Sequence, residues 1–183
     1  ESTHFVVDEI ASFSFINGSK FIIMSVLFAL ASILLCVVLH GTSKLYTDYI
    51  NNPYIRIIIA GTLVIAMRYI FGTTDYLGAG SDIIARSFVT SCAWYVFLLK
   101  MIFTAVTMAI GFKGGEIVPT LFIGSTFGCA IGAHLGLDPT FGAAVGIVAV
   151  FCGVVNCPIA SILLSIELFG GEGTAFYVVA VCI

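Results

Sequence analysis

Apolar residues fall in long unbroken runs, not in the one-sided patterns of soluble helices or the alternation of half-buried strands. Residues 21–39 contain nothing more polar than Ser25 and Ser32. At roughly 1.5 Å of rise per residue that run reaches across a hydrocarbon core of about 30 Å. Lys20 and His40 bracket it, and residues 41–52 read as a polar loop. Pro53 suits the start of a helix, which predicts a second span over 54–71. Arg56 and Arg68 stand near its ends, where long cationic side chains snorkel to the interface. Residues 72–80 predict a turn-rich loop, and 81–88 a short helix with Asp82 and Arg86 one turn apart. The third long apolar run, 91–110, holds Lys100 near its middle. A charge at that depth normally faces the protein interior or a water-filled space, as a functional group or paired with a carboxylate.

Beyond residue 110 the pattern changes. Residues 111–119 form a glycine-rich break, followed by shorter apolar pieces at 120–135, 140–155, 158–169 and 174–183. Gly136-Leu137-Asp138-Pro139, residues 153–158 and residues 170–173 punctuate them. Several are too short to span alone. Broken helices at membrane depth survive only where protein buries them or a cavity hydrates them, and such interruptions are the usual pointer to a transport site. Gly124, Gly128, Gly132 and Gly136 recur along one side of a helix, which predicts a close backbone approach by a neighbour.

Composition agrees with a lipid solvent. The 183 residues are 60% hydrophobic and 9% charged, with a net charge of −3, and the mean hydropathy is +1.16. A soluble domain is about one quarter charged. The chain has no basic stripe, which argues against nucleic acid as a partner. Cys36, Cys92, Cys129, Cys152, Cys157 and Cys182 form no CxxC pair and read as packing thiols. His4, His40 and His134 stand apart, so neither a metal site nor a cofactor is expected. Residues 1–19 are polar and mixed, a flanking segment to a transmembrane domain over 20–183. No basic-then-apolar leader opens the chain, and its last residues fall inside an apolar run. The chain therefore reads as part of a larger all-α membrane protein.

The chemistry concentrates at residues 111–124. Gly114 and Gly115 permit a sharp turn, and Pro119 then sits in the first turn of a helix, where a missing N–H does no harm. The amides of Glu116, Ile117 and Val118 point off that helix start, which also carries the positive pole of the macrodipole. Such an end is a ready anion site, and it grips more weakly than a full opposing charge. Lys113 can add attraction at the entrance. Glu116 has two readings: it caps the helix, or it competes with an anion for the amides and takes up a proton. Burial favours its neutral form and the helix end its charged form.

The run GFKGGEIVPTLFIGSTFG at 111–128 resembles the signature of the CLC family of chloride channels and anion/proton antiporters. It is most similar to the bacterial fluoride/proton antiporter branch, in which a glutamate lies inside that signature. NPYIR at 52–56, DYLGAG at 75–80, FLLKMIFTA at 97–105 and VAVFCGVVNCPIASILLSIELFG at 148–170 fit the family in the same order. The resemblance implies a CLC-type broken-helix fold, of which this chain is one of two inverted repeats, the second. It implies a multi-pass protein of the bacterial cell membrane and a homodimer in which each subunit has its own pathway. By the same resemblance, the backbone amides of Glu116 and Ile117 bind the central anion and Glu116 takes part in coupled transport. The first repeat, with its gating glutamate, lies outside the chain, so the chain is expected to be inactive alone. The family's pore tyrosine also lies beyond it, and Tyr177 is not that residue. Val118 departs from the pattern, since the fluoride branch often has threonine there. Glu167 resembles a position in a helix near the subunit interface and reads as a structural hydrogen-bond or salt-bridge group, with Lys100 as a candidate partner.

The function expected on these grounds is transport of a small anion, fluoride or chloride, in exchange for protons across the lipid bilayer. The alternatives are a passive, voltage-gated type of chloride channel and a non-transporting membrane scaffold. No nucleophile, metal or acid/base cluster suggests an enzyme.

Overall fold

The computed structural model describes residues 15–50, 52–72, 76–89, 92–109, 115–170 and 173–183. Among them the chain is built of α-helices, with no strand: α1 (Phe15–Tyr49), α2 (Pro53–Phe71), α3 (Ser81–Ser87), α4 (Val96–Ala109), α5 (Ile117–Leu135), α6 (Pro139–Val155), α7 (Pro158–Phe169) and α8 (Thr174–Cys182). Three helices are long and apolar enough to cross a membrane: Gly18–Tyr49, Pro53–Phe71 and Ile117–Leu135.

Prolines and glycines set the boundaries where the sequence placed them. Asn52 accepts a hydrogen bond from the Tyr54 amide at 3.0 Å, and Pro53 follows as the first helical residue of α2. Between α5 and α6, Gly136 takes a left-handed conformation with φ 67° and ends α5. Two residues on, Asp138 caps α6 by accepting from the Thr140 and Phe141 amides at 2.6 and 3.3 Å. Asn156 ends α6 with φ 54°, and Pro158 opens α7.

Several boundaries differ. α1 starts at Phe15, inside the expected flanking segment, and α4 starts at Val96 rather than at the head of the apolar run 91–110. The expected loop at 41–52 is helical as far as Tyr49, so α1 is a single helix of 35 residues. Its polar residues bond back to its own carbonyls, Thr42 Oγ1 to Val38 at 2.7 Å and Thr47 Oγ1 to Ser43 at 2.9 Å. No proline interrupts it before Pro53. Arg56 donates from Nη2 to the Ile50 carbonyl at 2.9 Å, pinning the start of α2 to the end of α1.

α6 forms the centre. Every residue from Thr140 to Cys152 is buried, as expected for a helix that is apolar all round. It packs most extensively on α5, and there the glycine stripe works as expected. A Cβ on Gly124 would lie 2.5 Å from the Gly146 carbonyl oxygen, and one on Gly128 would overlap the Gly142 carbonyl oxygen. A Cβ on Gly132 would be less crowded, 3.2 Å from the Asp138 carbonyl oxygen and 3.3 Å from the Gly142 Cα, and Gly136, the last of the stripe, makes no such contact with α6. Around this pair, rings lock the other helices: Phe21 of α1, Phe141 of α6 and Phe176 of α8 meet at centroid distances of 5.3–6.2 Å. Phe127 of α5 lies 4.4 Å from Phe97 of α4 and 5.9 Å from Phe28 of α1.

The outer surface is apolar. Ile55, Ile57, Ile58, Ile59, Leu63 and Ile65 of α2 are exposed, as are Ile22, Ile23, Leu30 and Val37 of α1. Buried hydroxyls at Ser25, Ser125, Thr126, Ser161 and Ser165 bond to carbonyls of their own helices, which satisfies them without water. The protein is an integral membrane protein.

Gly128→Leu must force α5 and α6 apart, because its side chain would start inside the Gly142 carbonyl. Overpacking of this kind costs about 1–3 kcal/mol or more. The expected result is a lower thermal unfolding midpoint in detergent, read by tryptophan fluorescence or circular dichroism on the full-length protein. A midpoint equal to that of the unmodified protein would contradict this packing.

Candidate anion site at the start of helix 5

α5 begins at Ile117, with Glu116 ahead of it at φ −73°, ψ −18° and no hydrogen bond from the Glu116 carboxylate to the helix start. The capping reading of Glu116 therefore fails. Helix closure instead uses its carbonyl, which accepts from the Thr120 amide at 3.1 Å and from Thr120 Oγ1 at 2.7 Å. The amides of Ile117 and Val118 precede that first intrahelical bond and have no acceptor inside the helix, and Pro119 has no N–H. Gly115, Glu116, Ile117 and Val118 are all exposed, so these donors lie at an open surface of the bundle. The structure thus brings Gly115, Glu116, Ile117, Val118 and Pro119 together at one helix start. Lys113 and Gly114 lie outside the described residues.

Two cavities adjoin this end. The smaller, about 160 Å³, is lined by Glu116 together with Leu39, His40 and Ser43 of α1 and Met108 of α4. The larger, about 320 Å³, lies between the turn at 76–78, α4 and the start of α5, and Gly115, Pro119, Lys100 and Thr104 help line it.

Lys100 is 2% exposed. Its Nζ donates to the carbonyls of Gly78 at 2.6 Å and Tyr76 at 3.2 Å. It also stands 4.9 Å from the centroid of the Phe122 ring, in the second turn of α5. The carboxylate partner proposed for it, Glu167, is not there: Glu167 is exposed on α7, and among the described residues it has neither an ion pair nor a hydrogen bond. The sequence could not reveal the true partners, because they are backbone carbonyls. Their turn was visible only as DYLGAG, where Gly78 adopts φ +70° and turns its carbonyl toward α4. Tyr177 is buried and stacks on Phe169 at 5.6 Å, a core role far from that of a pore residue. The cysteines are free, and the Cys92 amide donates to Cys129 Sγ at 3.2 Å. His40 was read only as the end of an apolar run. Continuation of α1 past it gives it a place beside Glu116.

An apolar-surfaced bundle in which α5, packed on the central helix, starts without a side-chain cap beside two cavities defines a broken-helix integral membrane protein. Comparison with known proteins narrows this. The family model described as voltage gated chloride channel matches residues 2–183, and the chain belongs to that family, the CLC proteins. It is 32% identical over 176 residues to a chloride/fluoride channel protein of Pseudomonas syringae pv. tomato, covering 93% of this chain and 39% of the relative. It is 29% identical over 166 residues to an H(+)/Cl(−) exchange transporter, ClcA, of Vibrio vulnificus, covering 81% of this chain and 34% of that protein. The crystal structure of a CLC-type fluoride/proton antiporter superposes with a TM-score of 0.94 at 24% identity, over 100% of this chain and 46% of that one. The chain thus spans well under half the length of the relatives it matches, and it has the CLC fold.

Replacing Lys100 with Met removes both bonds to the 76–78 turn and leaves two carbonyls to find other donors. The loss expected is about 1–3 kcal/mol per unsatisfied buried group. Lys100→Met should therefore lower the unfolding midpoint, and Lys100→Arg should recover part of it. Equal midpoints for Met and wild type would show that the lysine does not hold the turn.

Proposed function

We propose that the full-length protein moves a small anion, fluoride or chloride, across a bacterial cell membrane in exchange for protons. In this reading the backbone amides of Glu116 and Ile117 hold the anion and Glu116 carries the proton. The protein acts as a multi-pass homodimer, in keeping with its family. The observation that carries the reading is the state of Glu116: a carboxylate at a helix start that is not spent on capping and that lines a cavity.

The physical argument is competition. The α5 start offers partial positive charge of roughly +0.5, enough for one anionic group. An ionised Glu116 side chain and a free anion contend for that charge. Protonation turns the carboxyl into a donor and frees the amides. Proton uptake then favours anion entry, which is the requirement for coupling rather than leak. The names of the relatives support anion transport, and one of them is an H(+)/Cl(−) exchange transporter, while another is a chloride/fluoride channel protein. Lys100, a buried cation beside the second turn of α5, adds to the attraction for an anion at this end.

Glu116→Gln keeps the shape and cannot release a proton. In liposomes containing the full-length protein, with fluoride, chloride and proton fluxes recorded together, the variant should lose proton movement and at least about tenfold of exchange. Coupled flux at the wild-type ratio would overturn the role. Chloride flux with no proton movement in the wild type would make the protein a passive channel.

A further inference from the structure

The cavity that Glu116 faces has a second titratable group, and nothing in the proposed mechanism yet uses it. Leu39, His40 and Ser43 contribute one face of α1 to this cavity, Met108 closes it from α4, and Glu116 enters from α5. The volume, about 160 Å³, accommodates a few waters at roughly 30 Å³ each. The lining is polar at Ser43, His40 and Glu116, which gives such waters hydrogen-bond partners.

The imidazole of His40 is held in a defined orientation. Its Nδ1 lies 2.8 Å from the Cys36 carbonyl oxygen, one turn earlier on α1. A carbonyl only accepts, so Nδ1 carries the hydrogen. The neutral ring then has its lone pair on Nε2, and Nε2 is the atom that gains and loses a proton. His40 also stands where α1 passes from its apolar stretch to the polar residues Gly41–Lys44, which places it at the polar end of that run. Imidazole exchanges protons between about pH 5 and 8, whereas an ordinary carboxyl is already ionised there. A carboxylate facing a cavity in this range needs a donor of that kind.

We propose that His40 is the relay through which protons reach Glu116, a proposal that rests on the reading of Glu116 as the proton carrier. The imidazolium Nε2–H bond breaks and its proton passes to a cavity water. That water gives one of its own protons to the Glu116 carboxylate. Neutral His40 is reprotonated at Nε2 from the aqueous side, and the reverse sequence returns the proton. No charge is created, because one cation and one anion become two neutral groups. Among the described residues lining the cavity, the ionisable side chains are His40 of α1 and Glu116 of α5; Met108 of α4 and Leu39 and Ser43 of α1 are not ionisable in this range. Cys36, one turn earlier on α1, is outside the lining. Lys44 is exposed on α1 and outside the lining.

The test uses the full-length protein in liposomes, recording anion and proton flux from about pH 5 to 8. His40→Gln keeps a hydrogen-bond donor for the Cys36 carbonyl and removes the titrating nitrogen. It should reduce proton-coupled flux at least about tenfold and abolish the inflection that wild type shows in the imidazole range. A variant with the wild-type flux and pH profile overturns the relay. So does one that is slower but keeps the wild-type profile, which is what a structural role alone would give. His40→Glu retains a titratable group, and its profile should move toward lower pH with part of the flux restored; an unmoved profile also counts against the relay. Glu116→Gln, run in parallel, separates the two claims. Lost coupling in Glu116→Gln with an unaffected His40→Gln sinks the relay alone. Retained coupling in Glu116→Gln sinks the underlying reading of Glu116.

Discussion

The rest of the molecule depends on the backbone contact between α5 and α6. Gly124 and Gly128 on one helix and Gly142 and Gly146 on the other leave no room for a Cβ. Between lipid-embedded helices there is little hydrophobic drive to associate, so close van der Waals contact between backbones is the available source of cohesion. The contact makes α6 the buried axis and seats α5 against it along its length. α1, α4 and α8 then pack on the pair through aromatic rings. The consequence for function lies at the far end of α5. A helix gripped this firmly can begin abruptly within the bundle, because its position is maintained by packing and not by a cap.

Charge is handled in two ways near that start. Lys100 is enclosed and answered by neutral dipoles, two carbonyls and a ring face. A carbonyl pair accepts the ammonium hydrogens without cancelling the charge. A carboxylate would have cancelled it. Glu116 is exposed to a cavity and makes no hydrogen bond to the helix start. One group is therefore a lysine built into the frame, and the other is a carboxylate free to change partner. The turn at 76–78 belongs to the frame, since it supplies the carbonyls that hold Lys100 against α5.

Much of this was legible in the chain itself. Proline and glycine punctuation located α2, α6 and α7, because Pro53, Gly136-Leu137-Asp138-Pro139 and Asn156–Pro158 act through local backbone preference that distant contacts do not override. The glycine period foretold the α5–α6 contact for the same reason: a missing side chain is a property of sequence. The errors share a cause as well. Residues 41–49 read as a loop from their polarity, yet Thr42 and Thr47 satisfy themselves on α1's own carbonyls, so polarity did not end the helix. Lys100 was offered a carboxylate, when it binds main-chain oxygens. Those acceptors have no signature in the residue type. His40 lacked a role because its neighbour Glu116 is remote in sequence and the helix linking it to the cavity was cut short.

Under the proposed function, the α5 start links two equilibria through one set of donors. A helix end worth roughly half a charge cannot satisfy both a carboxylate and a free anion. Whatever strengthens anion binding there must weaken the hold on the ionised Glu116 side chain, and by reciprocity proton binding at Glu116 must strengthen anion binding by the same factor. Lys100 raises affinity for either anionic occupant and so does not by itself create exchange. Exchange requires that the carboxyl and the ion arrive and leave in turn. That places the control of coupling on access, the route by which protons reach Glu116, rather than on the affinity of the amides. It is at the α1 face of the cavity, where His40 and Ser43 stand, that this chain's own residues can govern such access.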